Sequence, residues 1–155
     1  MGQLVFALRL GVGALLLVAG ILKAHDGSAS VASSIAAYRL LPPFPVAALA
    51  NFLPYFEMIL GLYLVAGLLT RVAAGVAAAQ FLVFAAAVAS LVVRRIPADC
   101  GCFGSGVKTP PSWGHVALDL LLALLCVLIA RYAPGLFAVD RLLGSSGSRQ
   151  VKAES

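Results

Sequence analysis

The chain has 155 residues, of which 62% are apolar and only 11% charged, and its formal net charge is +5. Soluble domains contain about 45–50% apolar and about 25% charged residues, so this composition excludes a soluble enzyme, a disordered chain and a collagen-like fibre. The basic residues form no aromatic–basic patch of the kind that binds nucleic acid. The sequence therefore predicts a single-domain, multi-pass membrane protein.

Four apolar stretches are each close to the ~20 residues with which a helix crosses a bilayer. They run from Leu4 to Leu22, from Val46 to Leu69, from Val72 to Val93 and from Trp113 to Tyr132. None alternates like a barrel strand, and backbone groups in lipid must bond within their own segment, so each is predicted to be a helix. The predicted fold class is an all-α membrane protein, a four-helix transmembrane bundle over residues 1–143 with a disordered polar tail over residues 144–155.

The first span lacks a basic start and is longer than a signal-peptide core, so we expect it to be a permanent helix. In the connection that follows it, Val31, Ile35 and Tyr38 recur at helical spacing, which predicts a short helix at the membrane interface. Prolines at positions 42, 43 and 45 are expected to end this helix and to turn the chain into the second span.

The second and third spans are separated by little more than Thr70-Arg71, which predicts an antiparallel hairpin. Small residues crowd the third span, and the pairs Ala74–Ala78 and Gly75–Ala79 have the spacing that lets membrane helices approach closely. In the last span, Cys126 is interpreted as a small apolar core residue.

An even number of spans places both termini on one side of the membrane. That side carries six basic residues and the other carries five, so the positive-inside rule leaves the orientation open.

The segment between the third and fourth spans carries two of the three cysteines, Cys100 and Cys102, one residue apart. Three interpretations are open: a redox pair, a site for a soft metal such as copper(I), and two inert small residues. A disulfide across one residue closes a strained ring, and strain makes a disulfide easier to reduce. We therefore interpret the pair first as catalytic thiols. Copper binding by the same cysteines, in a non-catalytic membrane subunit or chaperone, is the alternative.

The residues around the pair fit thiol chemistry. Gly101 removes the Cβ that would resist the necessary bend, and Gly104 keeps the next turn open. Arg94, Arg95 and Lys108 would stabilise a thiolate if the segment folds back on them, whereas Asp99 would oppose this effect and could instead move protons. His115, at the start of the last span, is either a base for a thiol or an ordinary interfacial histidine.

Three charged residues lie inside predicted spans: Arg9, Glu57 and Asp119. Charges within a membrane are costly, face the protein interior and usually have partners. The functional interpretation is an intramembrane proton path or a quinone-head site, with Glu57 the strongest candidate. The structural interpretation is an ion pair that holds two helices together, formed by Arg9 with either Glu57 or Asp119. For Arg9, near a helix end, we expect the side chain to extend to the bilayer surface.

The hexapeptide Asp99-Cys100-Gly101-Cys102-Phe103-Gly104, between the last two of four helices, resembles the MauE family of DoxX-like membrane proteins. Further similarities are Ala19-Gly20-Ile21-Leu22-Lys23, Tyr38-Arg39-Leu40-Leu41-Pro42, and Leu53-Pro54 followed by Glu57 and Gly61. The resemblance covers about residues 8–125.

The resemblance implies an integral membrane protein of methylamine utilisation that helps to form disulfides in, or to mature, a periplasmic dehydrogenase subunit. The expected partner is a thioredoxin-like or substrate protein outside the cytoplasm. Cys100 and Cys102 would then face the oxidising side and the termini the cytoplasm. The bundle is also similar to vitamin K epoxide reductase-like proteins, which pass electrons between cysteines and a quinone, although this chain lacks their Cys-x-x-Cys pair. A quinone is thus a candidate cofactor.

Overall fold

The structure, a computed structural model, describes residues 2–96 and 110–133. These residues form five helices: α1 Gly2–Asp26, α2 Ser28–Ala37, α3 Pro43–Ala66, α4 Thr70–Arg94 and α5 Trp113–Tyr132. Four of the five are long and apolar enough to cross a membrane. The predicted all-α fold, the four spans and the short helix of the first connection are confirmed. The predicted tail, residues 144–155, and the segment with the cysteine pair lie outside the described residues.

The helix boundaries follow from local backbone chemistry. Gly27, with φ 82° and ψ 156°, separates α1 from α2 in a conformation that residues with a Cβ rarely adopt. Pro43 begins α3 at the position where a missing N–H costs nothing. Gly67 ends α3 in the left-handed region, and its N–H donates to the Tyr63 carbonyl oxygen at 2.9 Å. The α3–α4 turn therefore lies at residues 67–69, slightly earlier in the chain than the predicted connection at Thr70-Arg71, and Thr70 already belongs to α4.

Helices α1 and α3 pack closely and antiparallel at glycines. A Cβ on Gly61 would lie 2.6 Å from the Gly13 carbonyl oxygen, and one on Gly20 would lie 2.6 Å from the Pro54 carbonyl oxygen. Only residues without a Cβ allow two backbones to come this near. This glycine contact was not predicted from the sequence.

Helices α4 and α5 form the second close pair. Ala74 and Ala78 are buried in the core, so this predicted pair is confirmed as a packing feature. The Gly75–Ala79 pair is wrong: Ala79 is exposed, and within the described chain no neighbouring helix comes within 4 Å of a Cβ placed on Gly75. Cys126 is fully buried in the same core, as predicted.

The connectivity brings several helix ends together at one end of the bundle, which we call the loop end. It contains the end of α1, all of α2, the start of α3, the end of α4 and the start of α5. Arg94 Nη1, at the end of α4, donates to the Tyr38 carbonyl oxygen at 2.9 Å and ties α4 to the segment after α2. The segment with the cysteine pair, residues 97–109, joins Ile96 to Pro110 and so connects two helices at this end.

Candidate functional site

Three helices each contribute one polar side chain to a buried cluster, which we call the charge cluster: Lys23 of α1, Glu57 of α3 and Gln80 of α4. The Lys23 ammonium lies 2.7 Å from Glu57 Oε1 and 2.8 Å from Oε2. Gln80 Nε2 donates to Glu57 Oε1 at 3.1 Å. The exposed fractions of the three residues are 3%, 1% and 8%. The carboxylate is thus bound by an ammonium and an amide with no water between them.

The charge cluster is electrically neutral but incompletely bonded. The Gln80 Oε1 atom is buried and has no hydrogen-bond partner within residues 2–96 and 110–133. The Lys23 ammonium has three protons, and two of them account for its contacts with the carboxylate. It also lies 5.3 Å from the centre of the Phe84 ring, within cation–π range. One acceptor and one donor are therefore left to interact with something else.

Asp119 and His115 lie on the other side of Glu57. Asp119 is buried, and its Oδ2 atom has no hydrogen-bond partner in the described part of the chain. The Nδ1 atom of the half-buried His115 is 2.9 Å from Ser112 Oγ. A small cavity of about 40 Å³ is lined by Glu57, His115 and Asp119 among apolar residues. This volume and these polar groups suit one ordered water, because a buried water needs about one probe volume and 2–4 polar partners.

Arg9 does not join this site. It is fully buried, and its guanidinium carbon lies 5.4 Å from the centre of the Phe6 ring. Along α1 it stands fourteen residues before Lys23, or roughly 21 Å at 1.5 Å per residue. The expectation that its side chain extends to the bilayer surface is therefore wrong, since packing has enclosed it.

Glu57 belongs both to the charge cluster and to the lining of the small cavity, and its partners were not predicted from the sequence. Lys23 enters the sequence analysis only as the last residue of a motif that closes the first span, and Gln80 does not enter it. A glutamine in the middle of an apolar span was the available signal, because polar groups within a membrane usually face the interior and find partners.

A second, much larger cavity of about 810 Å³ lies between α2, α3 and α4. Its walls are apolar side chains such as Leu53 and Val83, and the aromatic side chain of Phe84 contributes to them. Lys23 and Gln80 of the charge cluster also line it. The charge cluster therefore lies between the large cavity, which Lys23 and Gln80 line, and the small one, which Glu57 lines.

The predicted catalytic cysteines, Cys100 and Cys102, lie outside the described residues, as do the supporting residues Asp99, Gly101, Phe103 and Gly104. Their predicted roles stay predictions. Within the described ranges there is no group of three or more His, Cys, Asp or Glu side chains that could hold a metal ion.

The sequence of the chain is similar to a known protein family and to two curated proteins. The family model "Methylamine utilisation protein MauE" matches residues 1–132. The chain is 40% identical over 111 residues to the methylamine utilization protein MauE of Paracoccus denitrificans, covering 71% of this chain and 60% of the relative. It is 38% identical over 94 residues to the protein of the same name from Methylophilus methylotrophus, covering 60% of this chain and 47% of the relative.

The matched part of the chain thus spans about half to three fifths of these curated relatives. No solved structure gave a significant match. Four membrane-length helices agree with a multi-pass membrane protein. Because the family model matches most of its length, the chain belongs to the MauE family.

Proposed function

We propose that this chain is a membrane thiol–disulfide protein of methylamine utilisation, which exchanges electrons through Cys100 and Cys102 with a partner protein outside the cytoplasm. Three cysteines occur in the chain, and Cys126 is buried in the core. The other two stand in the segment that connects α4 to α5 at the loop end. This separation of one core cysteine from a closely spaced pair between two helix ends is the observation that carries the proposal. The names of the curated relatives supply the pathway.

The proposed reaction is a balanced exchange. One thiolate of the pair attacks a disulfide of the partner and forms a mixed disulfide, while the partner's leaving sulfur takes up a proton. The second thiol then attacks the mixed disulfide and releases the partner as a dithiol. Two electrons and two protons pass from the Cys100–Cys102 dithiol to the partner, or in the reverse direction when the partner is oxidised.

Proton transfer in this exchange would use described residues that include one at the start of α5. His115 stands at the start of α5, and its ring shares the small cavity with Asp119 and Glu57. In our proposal His115 accepts the proton of a thiol, and the carboxylates provide the next proton-binding groups toward the charge cluster.

The proposed thiol–disulfide exchange can be tested by trapping its mixed-disulfide intermediate. In a Cys102→Ser variant the mixed disulfide at Cys100 cannot be resolved, so we expect a covalent adduct that disappears on reduction in a non-reducing gel. Cys126→Ser is the matched control, because it removes a thiol that is buried in the core and should leave the adduct pattern of the native protein unchanged. Native protein whose loop cysteines stay reduced under every redox condition, with no adduct in Cys102→Ser, would contradict the proposal.

The orientation is part of the proposal and has its own test. A membrane-impermeant maleimide should label Cys100 and Cys102 from outside intact cells and not from the outside of inside-out vesicles. The opposite pattern would place the pair in the cytoplasm and exclude an extracytoplasmic partner.

Metal analysis separates the copper alternative. Thiol exchange predicts no stoichiometric metal on the purified protein. One copper ion per chain that is lost in the Cys100→Ser/Cys102→Ser variant would instead support a copper-binding subunit or chaperone.

A further inference from the structure

An open groove, which we call the α2–α3 groove, lies at the loop end between α2 and the start of α3. Its volume is about 700 Å³. Ala32 and Ala36 of α2 and Val46 and Ala47 of α3 contribute to its walls. Helix α3 is one of the membrane-length helices, so its first turns stand at the edge of the bilayer. The groove is therefore placed where the acyl chains and the head groups of lipids meet.

One charged residue, Arg39, lines the α2–α3 groove. Arg39 is exposed, and it forms no salt bridge within residues 2–96 and 110–133. The other polar side chain of the lining is Ser33, whose hydroxyl group donates to the Ser30 carbonyl oxygen at 2.7 Å and is bonded within its own helix. The Arg39 guanidinium group, with its positive charge and five N–H donors, is thus the polar group that is available to a ligand.

A second guanidinium group adds positive charge beside Arg39. Arg94 Nη1 lies 2.9 Å from the carbonyl oxygen of Tyr38, the residue directly before Arg39. Acidic side chains do not cancel this charge at the groove. Of the three acidic residues in the described ranges, none lines the groove, and Glu57 and Asp119 are buried elsewhere. The electrostatic environment of the groove therefore favours an anion.

Large apolar side chains are exposed directly after Arg39. The exposed fractions are 52% for Leu40, 45% for Leu41 and 87% for Phe44. Apolar surface of this kind is unfavourable in water and is covered by lipid at a membrane boundary, where arginine side chains reach the head groups. An acidic protein surface would pair with the arginine but would leave these side chains without apolar contacts. A lipid supplies both the anion and the apolar cover.

We propose that the α2–α3 groove binds one anionic phospholipid of the surrounding bilayer. Its phosphate accepts hydrogen bonds from Arg39, whose planar guanidinium group matches the geometry of phosphate oxygens. Arg94 adds attraction from the side of α4, and one acyl chain lies along the apolar walls. A zwitterionic phospholipid has the same phosphate and chains, but its head group also carries a cation that the two arginines repel. The site therefore selects lipids of net negative charge.

Native mass spectrometry measures this selection. The full chain in a neutral detergent is titrated with equal amounts of phosphatidylglycerol and phosphatidylcholine that carry the same acyl chains, and the lipids that stay bound are identified by mass. We expect the first bound lipid to be phosphatidylglycerol with a preference of about fivefold, the contribution of one arginine near a membrane surface. In Arg39→Gln this preference should fall to about one.

Arg131→Gln is the matched control for the charge. Arg131 is exposed in the last turn of α5, at the opposite end of the bundle from the groove, so the preference should stay at the native level. Two neighbouring residues of α3 provide a control for shape. Ala47 and Ala48 are both exposed, but only Ala47 lines the groove. Ala47→Trp should remove the selective first lipid, whereas Ala48→Trp should keep it.

Three results would overturn the proposal. Equal losses of preference in Arg39→Gln and Arg131→Gln would show attraction by net charge alone, and unchanged selective binding in Ala47→Trp would exclude the groove as its place. Soluble competitors give the third test. Glycerol phosphate, which lacks acyl chains, and an oligoglutamate peptide should both fail to displace phosphatidylglycerol. Displacement by the first would identify a site for free phosphate, and displacement by the second would identify a surface for an acidic protein.

Discussion

Removing the ammonium of the charge cluster should destabilise the bundle strongly. In Lys23→Met the side chain keeps its length and apolar stem, but Glu57 loses the group that lies 2.7 and 2.8 Å from its two oxygens. The carboxylate has an exposed fraction of only 1%, so water cannot replace the ammonium. The loss of one partner of a buried ion pair typically costs about 3–5 kcal/mol.

We expect a value at the lower end of this range, about 3 kcal/mol, because Gln80 still donates to Glu57 Oε1. A loss of this size lowers the folding equilibrium constant more than about 100-fold. The double variant Lys23→Met/Glu57→Met removes both charges, and it should recover most of the loss because replacing a buried pair by apolar side chains is often neutral.

Cys126 provides the assay. In a Cys100→Ser/Cys102→Ser background it is the single remaining thiol, and it is fully buried in the core. The fraction that a maleimide labels in a brief pulse, measured across a titration of SDS in mixed micelles, reports the unfolded population. Equal losses in the single and double variants, or a loss under about 1 kcal/mol in Lys23→Met, would refute the reasoning that Glu57 depends on this ammonium.

Two further predictions concern packing. Gly61→Ala should cost about 1–3 kcal/mol in the same unfolding assay, because its Cβ would lie 2.6 Å from the Gly13 carbonyl oxygen and a backbone atom cannot turn aside. Gly75→Ala, the same change at an open position of α4, should leave stability unchanged or slightly raised, and a comparable loss there would contradict the assigned helix contact. Native Cys126 should react with maleimide only after SDS unfolds the protein, and rapid labelling in mild detergent would show that the core is open.

The candidate site was only partly predictable, and the reason is visible at particular residues. Glu57 and Asp119 attracted attention because a charge inside an apolar span is unusual, and both are buried. Which groups they meet could not be read from the sequence. Glu57 contacts Lys23 and Gln80, which are 34 and 23 residues away along the chain. Residues so far apart in the sequence come into contact only because α1, α3 and α4 are rotated so that these side chains face one another.

The same limit explains the error at the small residues of α4. In a soluble helix, apolar periodicity marks the face that packs. In a membrane helix the lipid-facing and the buried faces are both apolar, so Ala74–Ala78 and Gly75–Ala79 cannot be distinguished by pattern. Only the first pair is in the core, whereas glycines allow a close helix contact elsewhere, between Gly13 of α1 and Gly61 of α3.

The sequence by itself determined the number, length and order of the membrane helices and the short helix after the first, because hydropathy and helix-breaking residues are local properties that add along the chain. It also determined that the segment with the cysteine pair connects two helices at one end of the bundle, which follows from connectivity alone. The tertiary structure decided which side chains contact Glu57, the burial of Arg9 and the large cavity that Gln80 lines. Each of these depends on how helices rotate against one another, and that rotation is set by shape complementarity between residues distant in sequence.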